Sequence, residues 1–100
     1  MTIEEKINDK IESCKSLLPE DSLKEIVHFY DHGEFEMAFE GLVIEVMKAN
    51  VRPSNFDSEE WCAIMKLLKL DEEAVFDTGV WSKFTKWASF FALSEPKGPI

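Results

Sequence analysis

The sequence predicts an all-α fold: a compact bundle of four to five helices in a single domain. Three observations lead there. Four segments repeat apolar residues at the helical period, with start signals before them. No hairpin dipeptide such as Asn-Gly occurs. One hundred residues are the length of one domain and leave none for a second.

Ile3, Ile7, Ile11, Cys14 and Leu18 align on one helical face, and Thr2 with Glu5 forms a capping-box pattern. The first helix is therefore expected near 2–18, ended by Pro19, which disfavours helical geometry in the residue before it. Ser22 and Glu25 repeat the capping-box spacing ahead of Leu23, Ile26, Val27 and Tyr30, giving a helix near 21–32. Gly33 is the natural left-handed residue to close it.

Phe35, Ala38, Phe39, Leu42, Val43, Val46 and Met47 form the wide apolar face of a third helix near 34–50. Gly41, in mid-helix, costs ~1 kcal/mol relative to Ala, which points to a close neighbour there. Asp57 and Glu60 form another capping-box pattern, and Trp61, Ile64, Met65, Leu67 and Leu68 are expected to face the core from a helix near 58–70. Asp71, Glu72 and Glu73 are expected to open a short helical turn carrying Val75 and Phe76.

Trp81, Phe84, Trp87 and Phe91 suit a fifth helix near 79–93, although VWSKFTKW is also rich in β-favouring residues. Helix is preferred because a single strand would have no partner. With Phe90, these aromatics read as core, or as a lid with a surplus ring at an interface. The tail 94–100 has two prolines and a glycine and is expected to fray.

The hydrophobic fraction of 45% and twelve aromatic residues argue against a disordered chain. Twenty acids against eleven bases give a net charge of −9, which works against binding nucleic acid or an anionic membrane. No segment approaches the ~18 uninterrupted apolar residues of a membrane span. Cys14 and Cys62 stand alone, as expected of reduced, buried thiols in a cytoplasmic protein.

The charge is unevenly placed. Residues 1–77 carry nineteen acids and eight bases, a net of −11, whereas residues 78–100 carry a net of +2. Residues 20–40 hold seven acids and only Lys24 as a base, a net of −6.

Catalytic and metal chemistry find little footing. His28 and His32 have the i, i+4 spacing of two metal ligands, but no HExxH signature and no obvious third ligand accompanies them. His32 reads better as a side chain beside a helix C-terminus. Cys62 lies between Trp61 and Ala63, an apolar setting in which a thiol is inert. The four glycines are isolated, so no phosphate-cradling loop is present. The reading is no catalytic residue, no metal and no cofactor.

Glu36 and Glu40 lie on one helical row, where like charges destabilise a helix by a few tenths of a kcal/mol. Asp31 and Glu34 extend the same negative region. Either this is a solvated face, or Asp31, Glu34, Glu36 and Glu40 form a surface for a cationic protein partner. Glu34 alone has a structural reason, at the positive end of its helix.

The stretch YDHGEFEMAFEGL, from Tyr30 to Leu42, followed by a long apolar helix, a proline-containing loop and the helix from Ser58, resembles the small immunity proteins of Maf-type and contact-dependent-inhibition toxin systems. The shared pattern stands here as Gly33, Glu34, Phe35, Ala38, Phe39, Glu40 and Leu42, and the likeness covers roughly residues 20–72. The resemblance implies a non-enzymatic cytoplasmic protein, monomeric before complex formation. It would neutralise a secreted toxin domain, a basic nuclease of EndoU or tRNA-cleaving type, by covering its active site or substrate surface. The alternative is a small acidic adaptor or regulator that binds another basic partner.

Overall fold

The computed structural model describes residues 1–94, with side chains through residue 90. Five helices occur in order: α1 (Ile3–Ser13), α2 (Glu20–Asp31), α3 (Phe35–Ala49), α4 (Ser58–Leu67) and α5 (Val80–Ser94). The described residues contain no strand, so the fold is the expected all-α bundle and residues 80–94 are helical. The frayed tail falls, beyond Ser94, outside the described residues, as does the side chain of Phe91.

α1 opens on the expected capping box: the Glu5 amide donates to the Thr2 hydroxyl at 3.1 Å and the Thr2 amide to the Glu5 carboxylate at 3.2 Å. It ends five residues earlier than expected. After Ser13 the chain tightens, with Leu17 N–H reaching Cys14 O at 3.0 Å, and this turn still delivers Cys14 and Leu18 to the core. Pro19 therefore does not end α1; it stands as the residue before α2. The Ser22–Glu25 capping box does not form. Ser22 is already inside the helix, and its hydroxyl donates to Glu45 on α3 at 2.7 Å.

Gly33, at φ +74°, reverses the chain between α2 and α3. The amide of Glu34 reaches Phe29 O at 2.9 Å and that of Gly33 reaches Tyr30 O at 3.0 Å, a Schellman closure. α2 and α3 then pack as the tightest helix pair, antiparallel, from the Tyr30–Phe35 ring contact to the Ser22–Glu45 bond. A Cβ added at Gly41 would meet only Ile26 Cγ1, at 3.5 Å. Gly41 thus faces α2, at ordinary contact distance.

α3 lies at the centre, against α1, α2 and α5, and buries Ala38, Phe39, Leu42, Val43 and Val46 completely. The ring of Phe39 lies 5.4 Å from Trp61, which stacks on Phe84 at 6.1 Å. Aromatic pairs of this geometry contribute ~0.5–1.5 kcal/mol beyond area burial. Phe84 is core, Trp81 and Trp87 are half-buried, and Phe90 is 69% exposed, so the aromatic helix divides between core and surface.

α4 also departs from expectation in detail. Asp57 accepts from the Glu59 amide at 3.0 Å, but Glu60 turns to Lys10 on α1 instead of closing a capping box. Leu67 is 63% exposed, because the helix ends there and Leu70 takes the buried place. No helical turn forms around Val75 and Phe76; they sit in the irregular connection 68–79.

Lys69 closes α4 at φ +61°, where the structure needs a left-handed residue and the sequence supplies a lysine. That conformation costs an L-residue roughly 1–2 kcal/mol, against ~0.5–1 for the extra chain entropy of glycine. Lys69→Gly is expected to raise unfolding free energy by about 0.5–1 kcal/mol, read as a higher urea midpoint at unchanged slope. A lowered midpoint would show that the lysine side chain outweighs its backbone.

Candidate functional site

The seven acids of residues 20–40 separate into two kinds once α2 and α3 are packed. Glu20, Asp21 and Glu25 on α2, and Asp31, Glu34 and Glu36 around the Gly33 turn, are exposed, and none forms an ion pair among the described residues. Asp31 ends α2, Glu34 precedes α3 without capping it by its side chain, and Glu36 lies in the first turn of α3. The turn brings these last three carboxylates within six residues of one another on the surface.

Glu40 belongs to the other kind and does not lie on the partner-facing surface expected of it. It is fully buried. Its Oε1 accepts from the Val75 amide at 2.6 Å, and its Oε2 accepts from the amides of Phe76 at 3.0 Å and Asp77 at 2.8 Å. A loop of twelve residues has backbone donors that no helix satisfies, and one buried carboxylate satisfies three in a row. The Glu36/Glu40 pair is thus no surface cluster: one acid is solvated, the other is a clamp.

The clamp also shapes the start of α5. Asp77, held by Glu40 through its amide, accepts from Gly79 N–H at 2.8 Å and from Lys83 Nζ at 2.6 Å, which starts that helix. The Lys83 ammonium, then the Gly79 amide, hold the Asp77 carboxyl below its usual range. Its folded pKa is the lower one, so this contribution is present above the unfolded value of ~3.9 and is lost as pH falls through the folded pKa. Val75 and Phe76 point outward and are about half exposed, with Phe76 5.7 Å from the Phe29 ring.

Elsewhere the chemistry is quiet. The His28 and His32 rings lie 4.2 Å apart, and His32 Nδ1–H donates to the His28 carbonyl at 2.8 Å, at the end of α2. Among the described residues no three His, Cys, Asp or Glu side chains gather in a metal-holding group. No helix among them is long and apolar enough to cross a membrane.

Both cysteines are free. Cys14 is buried, whereas Cys62 is half-buried, more accessible than its apolar neighbours in sequence imply. Burial pushes the Cys14 thiol up to about 11, partly opposed by Lys10. Burial also raises Cys62, with Lys66 opposing and Glu59 reinforcing. Neither is an activated nucleophile. At pH 8 iodoacetamide is expected to modify Cys62 at least about tenfold faster than Cys14, which reacts only when α1 opens. Equal rates would place the end of α1 outside the stable core.

The chain matches no family model, no curated protein and no solved structure.

Proposed function

We propose that this chain is a non-enzymatic immunity protein that binds and neutralises a secreted toxin domain, a basic nuclease, by occluding its active site or substrate surface. The observation that carries the reading is the run of exposed carboxylates on α2 and its turn into α3, none of them in an ion pair among the described residues. Surface acids outside any ion pair are available to a cationic partner. They steer a basic protein toward this face and take the place of the phosphates that a nuclease contacts.

Asp31, Glu34 and Glu36 are the partner-facing residues, with Glu20, Asp21 and Glu25 extending the field. Glu40 acts beneath them by holding the 75–77 loop. In this reading the protein works in the cytoplasm, is monomeric until it meets the toxin, and uses no cofactor. Burial raises both thiols away from the reactive thiolate, which supports binding over cysteine-based catalysis. The resemblance of Tyr30–Leu42 to Maf-type and contact-dependent-inhibition immunity proteins supports a toxin as the partner.

Co-expression tests it. Cells producing the toxin domain encoded beside this chain are expected to survive when the chain is co-produced, and to die without it. Death in both cases, with another basic protein captured instead, would replace immunity by the adaptor reading.

A further inference from the structure

An open groove of about 200 Å³ runs between α2 and α3, on the side where the 75–77 loop folds over. Its floor and walls are Ile26, Phe29, Ile44 and Phe76, with the bare backbone of Gly41 at the bottom. Its charged lining residues are Glu25 and Glu45; no base lines it. Glu45 is anchored by the Ser22 hydroxyl, and Lys48 stands 3.5 Å from its other oxygen, whereas Glu25 is exposed and has no ion pair among the described residues. Small-molecule pockets run to ~300–1,000 Å³, so this one has room for a single large side chain.

We infer that this groove seats a partner segment in which a large aliphatic side chain is flanked by arginine or lysine. The aliphatic group enters between Ile26, Phe29, Ile44 and Phe76, and the flanking cation meets Glu25 and Glu45. The inference rests on the proposed function, in which the partner is basic, and supplies what acids alone lack. Screened surface charge mainly sets the association rate, whereas a buried apolar anchor sets residence time. Charge selects the occupant: a carboxylate-rich segment would meet two like charges, and an anionic lipid or nucleic acid would meet the same repulsion. Glu40 belongs to the device, because its hold on the amides of Val75, Phe76 and Asp77 fixes the wall that Phe76 provides.

The probe is the blocked tripeptide acetyl-Arg-Leu-Arg-amide, titrated into the ¹⁵N-labelled full chain and followed by amide shifts. Saturable shifts are expected at Gly41, Ile44 and Phe76. Burying one leucine strengthens binding roughly ten- to a hundredfold, so the Arg-Ser-Arg peptide should bind at least about tenfold more weakly. Glu-Leu-Glu, apolar but of the wrong charge, should bind at least as weakly. Gly41→Met fills the groove from its floor without straining the helix, and should abolish the shifts; Phe76→Ser, at an exposed loop position, should weaken them. Equal binding of Arg-Leu-Arg and Arg-Ser-Arg, absence of saturable binding, or an unaffected Gly41→Met would each overturn the groove. Failure of the groove and failure of the toxin reading are separable. Peptide binding without co-expression rescue removes only the toxin, and full rescue by Gly41→Met removes only the groove.

Discussion

Glu40→Ala is expected to lower the unfolding free energy by about 3 kcal/mol and the melting temperature by roughly 10–20 °C. Three backbone amides donate to this one buried carboxylate. Hydrogen bonds to a charged group contribute ~1.5–3 kcal/mol each, but they share one acceptor and the loop can relax toward water, so the sum is not realised. Glu40→Gln separates charge from shape. It keeps one acceptor oxygen and turns an amide donor toward backbone donors, for an expected loss of about 1–2 kcal/mol. In both variants the amides of Val75, Phe76 and Asp77 should lose hydrogen-exchange protection before those of α3. Unchanged stability with weakened partner binding would return Glu40 to the surface role its spacing with Glu36 suggests.

A second large effect is expected where α1 meets α4. Lys10 is 5% exposed, and its ammonium is held by Glu60 and by Asp9 at 3.2 Å. Burial by itself lowers the lysine pKa, but the bonds to Glu60 and Asp9 outweigh it and the net shift is upward. Glu60→Ala should therefore cost about 2 kcal/mol, below the ~3–5 of a fully buried pair because Glu60 is half exposed and Asp9 remains. Lys10→Met removes the buried charge together with its need for a partner, and should be neutral or stabilising. The folded lysine binds its proton more tightly than the unfolded one. Its contribution is thus fully present below the unfolded pKa of ~10.4 and is lost as pH rises through the higher folded value. Wild type and Glu60→Ala melting curves should accordingly converge in strong alkali. A constant gap up to about pH 12, beyond the ordinary lysine range, would assign the effect to packing instead.

These two sites mark the boundary of what periodicity can reveal. The faces of α1 and α3 are legible because each apolar residue repeats at the helical period, and Gly33 is legible because a left-handed turn needs it. Leu67 misleads: it fits α4's pattern but falls where the helix stops, and Leu70 replaces it. Glu40 reads as exposed because charge usually marks solvent, and its partners are amides thirty-five or more residues away in a segment without periodicity. Lys10 and Glu60 are fifty residues apart, beyond any local rule.

The pattern that carries the resemblance has the same character. Gly33 makes the turn, Phe35 packs on Tyr30, Ala38, Phe39 and Leu42 fill the core, and Glu40 clamps the loop. These letters encode architecture, and only Glu34 among them is an exposed acid. Asp31 and Glu36, the other exposed acids of this turn, are not among them.

Under the proposed function the exposed acids bind, while the buried acid builds. The association rate with the toxin domain proposed as its partner, measured across ionic strength for wild type and for Asp31→Asn/Glu34→Gln/Glu36→Gln, tests this division. All three side chains are exposed, so melting should move by no more than ~1 kcal/mol equivalent. The rate should fall at least about tenfold at low salt, and the salt slope should flatten, as expected when steering charges are removed. An unchanged rate and an unchanged slope in a folded triple variant would contradict the account and leave these carboxylates as solubility residues.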